Sequence, residues 1–193
     1  VGVLKDDRVH APQLLGIVDA LLRQQGRAVP KARLAGGFGP VSRMQASATL
    51  EGGAGIDPAG EHNAVKLFGG AITGSAPLGR HALVGLRLAA LSGDQTRIDA
   101  SLAPRLRWPV NDDLAEYYLV LPIGVAIDPN ADPAVSHDAL GIMAGARLGL
   151  QFAFWPSFGF HLELGATYRR FGGLAPLQEI APSGAIGVTI LPW

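Results

Sequence analysis

The sequence predicts an all-β fold, an eight-stranded antiparallel up-and-down barrel preceded by one short helix. Three observations carry this reading. From about residue 42 onward the apolar residues recur with a period of two, the signature of strands rather than helices. The connections between these segments alternate between long and short. Aromatic residues gather near the segment ends instead of their middles.

Composition narrows the class. Of 193 residues, 48% are apolar and 17% charged, whereas ordinary soluble domains are roughly 25% charged. Basic and acidic residues balance at 16 each. Without long basic runs the chain lacks the footprint that nucleic acid requires, so no nucleic-acid partner is expected. The apolar fraction excludes intrinsic disorder. The absence of cysteine removes disulfide scaffolds, zinc ribbons, iron–sulfur sites and thiol nucleophiles.

Residues 1–41 read as a separate N-terminal segment holding a helix over about residues 11–25. Pro12 suits its first turn, Arg23 its last, and Gly26 lies just past its end. Leu14, Ile17, Val18, Leu21 and Leu22 share one face, opposite Gln13, Asp19 and Gln24. A spanning helix needs about 20 apolar residues, and the Leu14–Leu22 stretch is too short and contains Asp19. The first residues show no basic region followed by an apolar core. The expectation is an export signal already removed.

Residues 42–193 supply the barrel. In the first strand, Arg43, Gln45, Ser47, Thr49 and Glu51 alternate with Met44, Ala46, Ala48 and Leu50. A second strand, Ala64–Gly74, is too apolar and glycine-rich for a face to be assigned, and a third, Arg80–Leu91, has one continuous apolar face. In the fourth, Arg97, Asp99, Ser101, Arg105 and Arg107 alternate with Ile98, Ala100, Leu102, Leu106 and Trp108. The fifth, Glu116–Ile127, also has an apolar face. The sixth, Leu140–Phe154, sets Leu148, Leu150, Phe152 and Phe154 opposite Arg147, Gly149 and Gln151. Seventh, and clearest, Phe158, Phe160, Leu162, Leu164, Ala166 and Tyr168 alternate with Gly159, His161, Glu163, Gly165, Thr167 and Arg169. Gly184–Trp193 closes the set. Most segments reach the 9–11 residues with which a tilted strand crosses hydrocarbon.

Long connections are expected at Asp57–Asn63, Asp128–Asp138 and Gly172–Ser183, and short ones at Ser75–Gly79, Val110–Ala115 and Trp155–Ser157. Ser92–Thr96 is the exception, short where the alternation calls for a long loop. Long loops on one rim and tight turns on the other organise membrane barrels. The aromatics predict two interfacial girdles. Trp108, Tyr117, Tyr118, Phe154, Trp155, Phe158 and Trp193 fall at the short-turn rim, with Tyr168 and Phe171 at the long-loop rim.

The bulky faces are continuous, whereas the polar faces mix glycine, alanine and serine with a few charges. An eight-stranded barrel has an interior just wide enough for side chains to fill. Small residues and paired charges fit inside, and large aliphatics fit outside against lipid. The fold class is therefore a transmembrane β-barrel with membrane lipid as its surroundings. In this the chain resembles the small outer-membrane β-barrels of Gram-negative bacteria, the class of OmpA-, OmpX- and OmpW-type proteins. The resemblance covers about residues 42–193. It rests on strand count, face alternation, loop asymmetry and the terminal Trp193, although Pro192 before it is atypical. It implies an outer-membrane location, periplasmic short turns and a periplasmic N-terminal segment.

The inward set on this reading is Arg43, Arg87, Arg97, Arg105, Arg107, Arg147 and Arg169 against Glu51, Asp99, Glu116 and Glu163. Buried charges must pair, so a rigidifying lumen network is expected. The arginine excess admits a narrow anion-preferring pore. His161 and Glu163, two apart on one inward face, are the catalytic candidates for a lipid-modifying enzyme. They would need a serine such as Ser47 or Ser101 beside the imidazole. A soluble ligand-binding barrel is a further alternative. Asp128-Pro-Asn130-Ala-Asp132 opens like a calcium loop, but Pro133 and Ala139 stand where that loop needs Gly and Glu. Gly36-Gly-Phe-Gly39 and Gly52-Gly-Ala-Gly55 lack the setting of a phosphate loop. No metal or cofactor is expected. The favoured role is structural, an anchor or subunit that meets other envelope proteins through the helix or the long loops.

Overall fold

The computed structural model describes residues 44–60, 64–110, 115–134, 136–155 and 158–190, with the backbone alone for Phe154 and Trp155. The predicted helix at 11–25, Arg43 and Trp193 lie outside the described residues.

Ten strands form one sheet: β1 (Gln45–Gly55), β2 (Val65–Pro77), β3 (Ala82–Gly93), β4 (Arg97–Leu102), β5 (Arg105–Val110), β6 (Ala115–Val120), β7 (Ile123–Ile127), β8 (His137–Trp155), β9 (Phe158–Gly173) and β10 (Leu177–Ile190). Every pairing is antiparallel. The sheet closes where β1 pairs with β10, from Ala46↔Ile190 to Gly53↔Ser183. Closure leaves no edge, the condition for a sheet to survive in hydrocarbon.

The ten strands make eight staves. β4 and β5 continue one another across Ala103–Pro104, as β6 and β7 do across Leu121–Pro122. The register is unbroken through both gaps: Leu102 pairs with Ile123 and Arg105 with Val120. Each proline removes one N–H from the ladder, and the neighbouring groups bridge the gaps. The Ala103 and Gly85 amides exchange bonds, Leu121 N–H donates to the Pro104 carbonyl at 3.0 Å, and Gly145 N–H donates to the Pro122 carbonyl at 2.8 Å.

The connections correct one expectation. Gly172–Ser183 is not a long loop, because β9 runs to Gly173 and β10 starts at Leu177, leaving only residues 174–176 between them. Gly173 makes the tight reversal possible with φ of 108°, a conformation that glycine adopts without cost. On that rim the connections 56–64 and 128–136 are long, and 94–96 and 174–176 are short. The opposite rim carries only short ones, at 78–81, 111–114 and 156–157.

Alternation sorts the side chains as the periodicity requires. Leu50, Phe68, Ile72, Leu86, Leu88 and Ile142 all point outward, as do Leu148 and Leu164, which are 66% and 72% exposed. A continuous apolar exterior of this extent marks a membrane contact rather than a water-facing surface. On β9 the apolar run from Phe158 to Tyr168 spans ten residue steps. At about 3.3 Å per residue and a tilt of about 40°, it covers roughly 25 Å of membrane thickness, the height of a barrel's apolar band. A shallow outer concavity of about 790 Å³ lies within this band, where Ala48, Gly70 and Ala90 leave a low floor among Leu50, Ile72 and Ile186.

Candidate functional site

The interior is the chemically dense part of the molecule, and its register stacks it in three layers. In the layer nearest the short-turn rim, Glu116 on β6 accepts hydrogen bonds from Arg105 and Arg107, both on β5. Arg105 also donates to Gln151 Oε1 at 2.9 Å. The ring of His161 sits between two hydroxyls, Thr49 Oγ1 at 3.1 Å from Nε2 and Thr189 Oγ1 at 3.1 Å from Nδ1.

In the middle layer, Glu51 on β1 is the common partner of Arg87 and Arg147, with Arg147 Nη2 at 2.8 Å. Arg147 reaches Glu163 at 3.7 Å as well. Tyr118 links this layer to the first: its hydroxyl donates to Glu163 Oε1 at 2.9 Å, and the Arg105 guanidinium lies 3.6 Å from its ring centroid, a stacked cation–π arrangement.

Toward the long-connection rim, Arg169 on β9 grips Asp99 with contacts of 2.9 and 2.6 Å and also contacts Glu179. Arg97 pairs with Glu179 at 3.3 Å and with Asp128 at 2.7 Å. His137 Nε2 lies 2.8 Å from the same Asp128 carboxylate. Beside them Phe171, Met143, Ala126 and Leu177 form a small apolar plug, in which Met143 and Ala126 pair across the ladder with Arg169 and Asp99 and the Arg97 guanidinium lies 5.4 Å from the Phe171 ring centroid.

Glycines opposite the large inward side chains make the filling possible. Gly149 pairs with Tyr118 across the β6–β8 ladder, and a methyl group there would meet the Tyr118 ring at 2.1 Å. Gly187 pairs with His161 in the same way, with a separation of 2.6 Å. The ring in each case lies over bare backbone, the arrangement in which an aromatic shields a strand glycine.

Glu51, Arg87, Arg97, Asp99, Arg105, Arg107, Glu116, Arg147, Glu163 and Arg169 all point inward, and all but Arg97 pair within this set. Two acids were missing from that set. Glu179 belongs to the part of β10 read as loop, and Asp128 to the segment that looked like a calcium loop. With them, the paired acids among the described residues are Glu51, Asp99, Glu116, Asp128, Glu163 and Glu179. They match Arg87, Arg97, Arg105, Arg107, Arg147 and Arg169 one for one. The described interior therefore has no arginine excess.

Two girdle assignments are corrected. Tyr118 is 1% exposed and Phe171 0% exposed, both inside the barrel. Adjacent residues of a strand face opposite sides, so Tyr117 and Tyr118 cannot share a girdle. Tyr117 faces out and pairs with the outward Trp108 across the ladder. Phe158 and Tyr168 lie on the outer face of β9. The side chains of Phe154 and Trp155, and Trp193 altogether, fall outside what is described.

His161 lacks the surroundings of a hydrolytic base. Both ring nitrogens are occupied by threonine hydroxyls, and neither Ser47 nor Ser101 hydrogen-bonds to it among the described contacts. Space is scarce too. The void beside Arg87, Arg105 and Glu163 is about 30 Å³, and that beside Glu51, Arg147 and Arg169 about 10 Å³. Such volumes hold one or two waters.

No family model and no curated protein sequence matches the chain. Solved structures do. The barrel is similar to Neisserial surface protein A, with a TM-score of 0.60 and 12% identity, over 77% of this chain and 97% of that one. It is also similar to the outer membrane protein OprG from Pseudomonas aeruginosa, with a TM-score of 0.51 and 10% identity, over 80% and 98%. The fold is that of the small outer-membrane β-barrels, and its apolar exterior and charged interior are those of a membrane-spanning one.

Proposed function

We propose that the protein is a structural barrel of the Gram-negative outer membrane, serving as an anchor or subunit of a cell-envelope assembly. The observation that carries this reading is the filled interior. Three layers of neutralised charge and an apolar plug occupy the space that a conduit needs, and ion permeation requires a wetted path. Catalysis has no better footing, since His161 is enclosed between threonines. With the barrel itself inert, contact surfaces are left as the working parts. These are the N-terminal segment 1–41, whose sequence is amphipathic, and the long connections 56–64 and 128–136.

Planar-bilayer recording tests the sealed interior. Purified, refolded protein is expected to give no single-channel steps at either polarity. Discrete steps that change in size on replacing Arg147 with glutamine would overturn the structural reading in favour of a pore. Site-specific photo-crosslinking in intact cells tests the anchoring role. A crosslinker at Leu14 is expected to give one discrete envelope-protein adduct, and labelling of lipid alone would contradict a tether.

A further inference from the structure

Among the described residues, the outer surface carries a polar cluster that takes no part in the interior charge network. Arg170 on β9 lies on the outer, lipid-facing side of the strand, one pleat beyond Tyr168, where the apolar run ends toward the long-connection rim. Its cross-strand neighbours are Ile142 on β8 and Gln178 on β10. Neither offers a counter-charge, and Arg170 has no ion pair among the described residues. Asp138 sits beside Gly172, a further pleat toward the rim. On the β10 side, the Tyr168 hydroxyl donates to Gln178 Oε1 at 3.1 Å, which leaves the Gln178 amide N–H groups free to donate. On the β8 side, Arg170 and Gly172 flank a groove of about 370 Å³ whose other walls are Val125, Leu140, Gly141 and Ile142.

We propose that this cluster binds an anionic, phosphorylated lipid of the surrounding leaflet, with its phosphate on Arg170 and the Gln178 amide and an acyl chain in the groove. The inference rests on the membrane reading above. The arrangement has the two halves that an amphiphile requires, side by side at the edge of the apolar band. A guanidinium forks onto phosphate oxygens in a way that a point charge does not. The neighbouring amide adds neutral donors, and the phenol of Tyr168 belongs at headgroup depth. The groove is walled mostly by apolar side chains, and position 172 contributes only backbone to it. Charge complementarity selects a lipid whose phosphate carries no compensating ammonium over a zwitterionic phospholipid, because Arg170 has no competing carboxylate in contact with it.

The test compares lipids carried through detergent exchange from bilayers of phosphatidylcholine doped with lipid A, quantified by native mass spectrometry of the folded, full-length protein. Wild type is expected to retain lipid A in preference to phosphatidylcholine. Arg170→Gln is expected to reduce that retention about fivefold, the value of one basic residue at a membrane surface, and Arg170→Lys to recover part of it. Gly172→Leu fills the groove and is expected to lower retention with the cation intact. Dephosphorylated lipid A should not be retained above phosphatidylcholine. Equal retention by wild type and Arg170→Gln would overturn the site, as would displacement of the lipid by inorganic phosphate alone, which marks a bare anion site. Resistance of the folded band to unheated detergent gels, recorded for each variant, separates the two failures. Variants that stay folded but bind alike refute the lipid site only, whereas a wild type that never inserts refutes the membrane reading beneath it.

Discussion

Replacing Arg169 with methionine is expected to destabilise the folded barrel by about 3–5 kcal/mol, the cost of stranding one member of a buried ion pair. Arg169 is 1% exposed and serves two carboxylates. Glu179 keeps Arg97 as a partner at 3.3 Å, but Asp99 has no other cation in contact among the described residues. The loss should therefore concentrate on Asp99, left without its partner inside the barrel. The double variant Arg169→Met with Asp99→Leu removes the orphan, and it is expected to be more stable than the single variant, since apolar replacements of buried pairs are commonly neutral or better. Urea unfolding in lipid vesicles, followed by tryptophan fluorescence, measures both. A single variant within about 1 kcal/mol of wild type, the level of a surface pair, would show that the Arg169–Asp99 contact is not a buried clamp.

Glu51→Gln should produce a loss of similar size by the opposite route. The substitution keeps the shape of the side chain and deletes its charge, so the effect reads electrostatics rather than packing. Glu51 is the partner of both Arg87 and Arg147. Without it Arg147 retains only Glu163 at 3.7 Å, and two guanidiniums face each other with one carboxylate between them. A cost of about 3–5 kcal/mol follows from a broken buried pair. Adding Arg87→Met to Glu51→Gln is expected to restore part of the loss by removing the surplus cation. Additive losses in the two single variants would contradict a shared network, because neighbours in one network are coupled.

Much of this architecture was legible in the residues themselves. The alternation in β8 and β9 is nearly free of exceptions, and it placed Arg147, His161, Glu163 and Arg169 on one side and the leucines on the other. Departures arose where proline and glycine mimic a loop. Gly172, Gly173, Pro176 and Pro182 disguised the first half of β10, so Glu179 escaped notice. Pro182 does remove a donor from the β1–β10 ladder, which resumes at Ile56↔Ile180 with two bonds of 2.8 Å. Strand length in the sheet outweighs one lost bond. The girdle errors had a remedy in the sequence. Phe171 shares the parity of His161 and Arg169, and strict alternation assigns it inward. Tyr118 likewise shares the parity of the inward Glu116, and the register that sets it opposite Gly149 shows the space its ring fills. Asp128 needed the tertiary fold, since its partners Arg97 and His137 come from other strands of the far rim.

The central claim is that the leucines touch lipid and the charges fill the tube. Cysteine variants at positions 148, 162, 164 and at 147, 165, 167, each carrying a bimane label in reconstituted vesicles, test it through quenching by brominated acyl chains. Strong quenching at the first three positions and little at the second three, alternating along β9 with a period of two, is the predicted result. Equal quenching at both sets, or quenching that favours 147, 165 and 167, would contradict it.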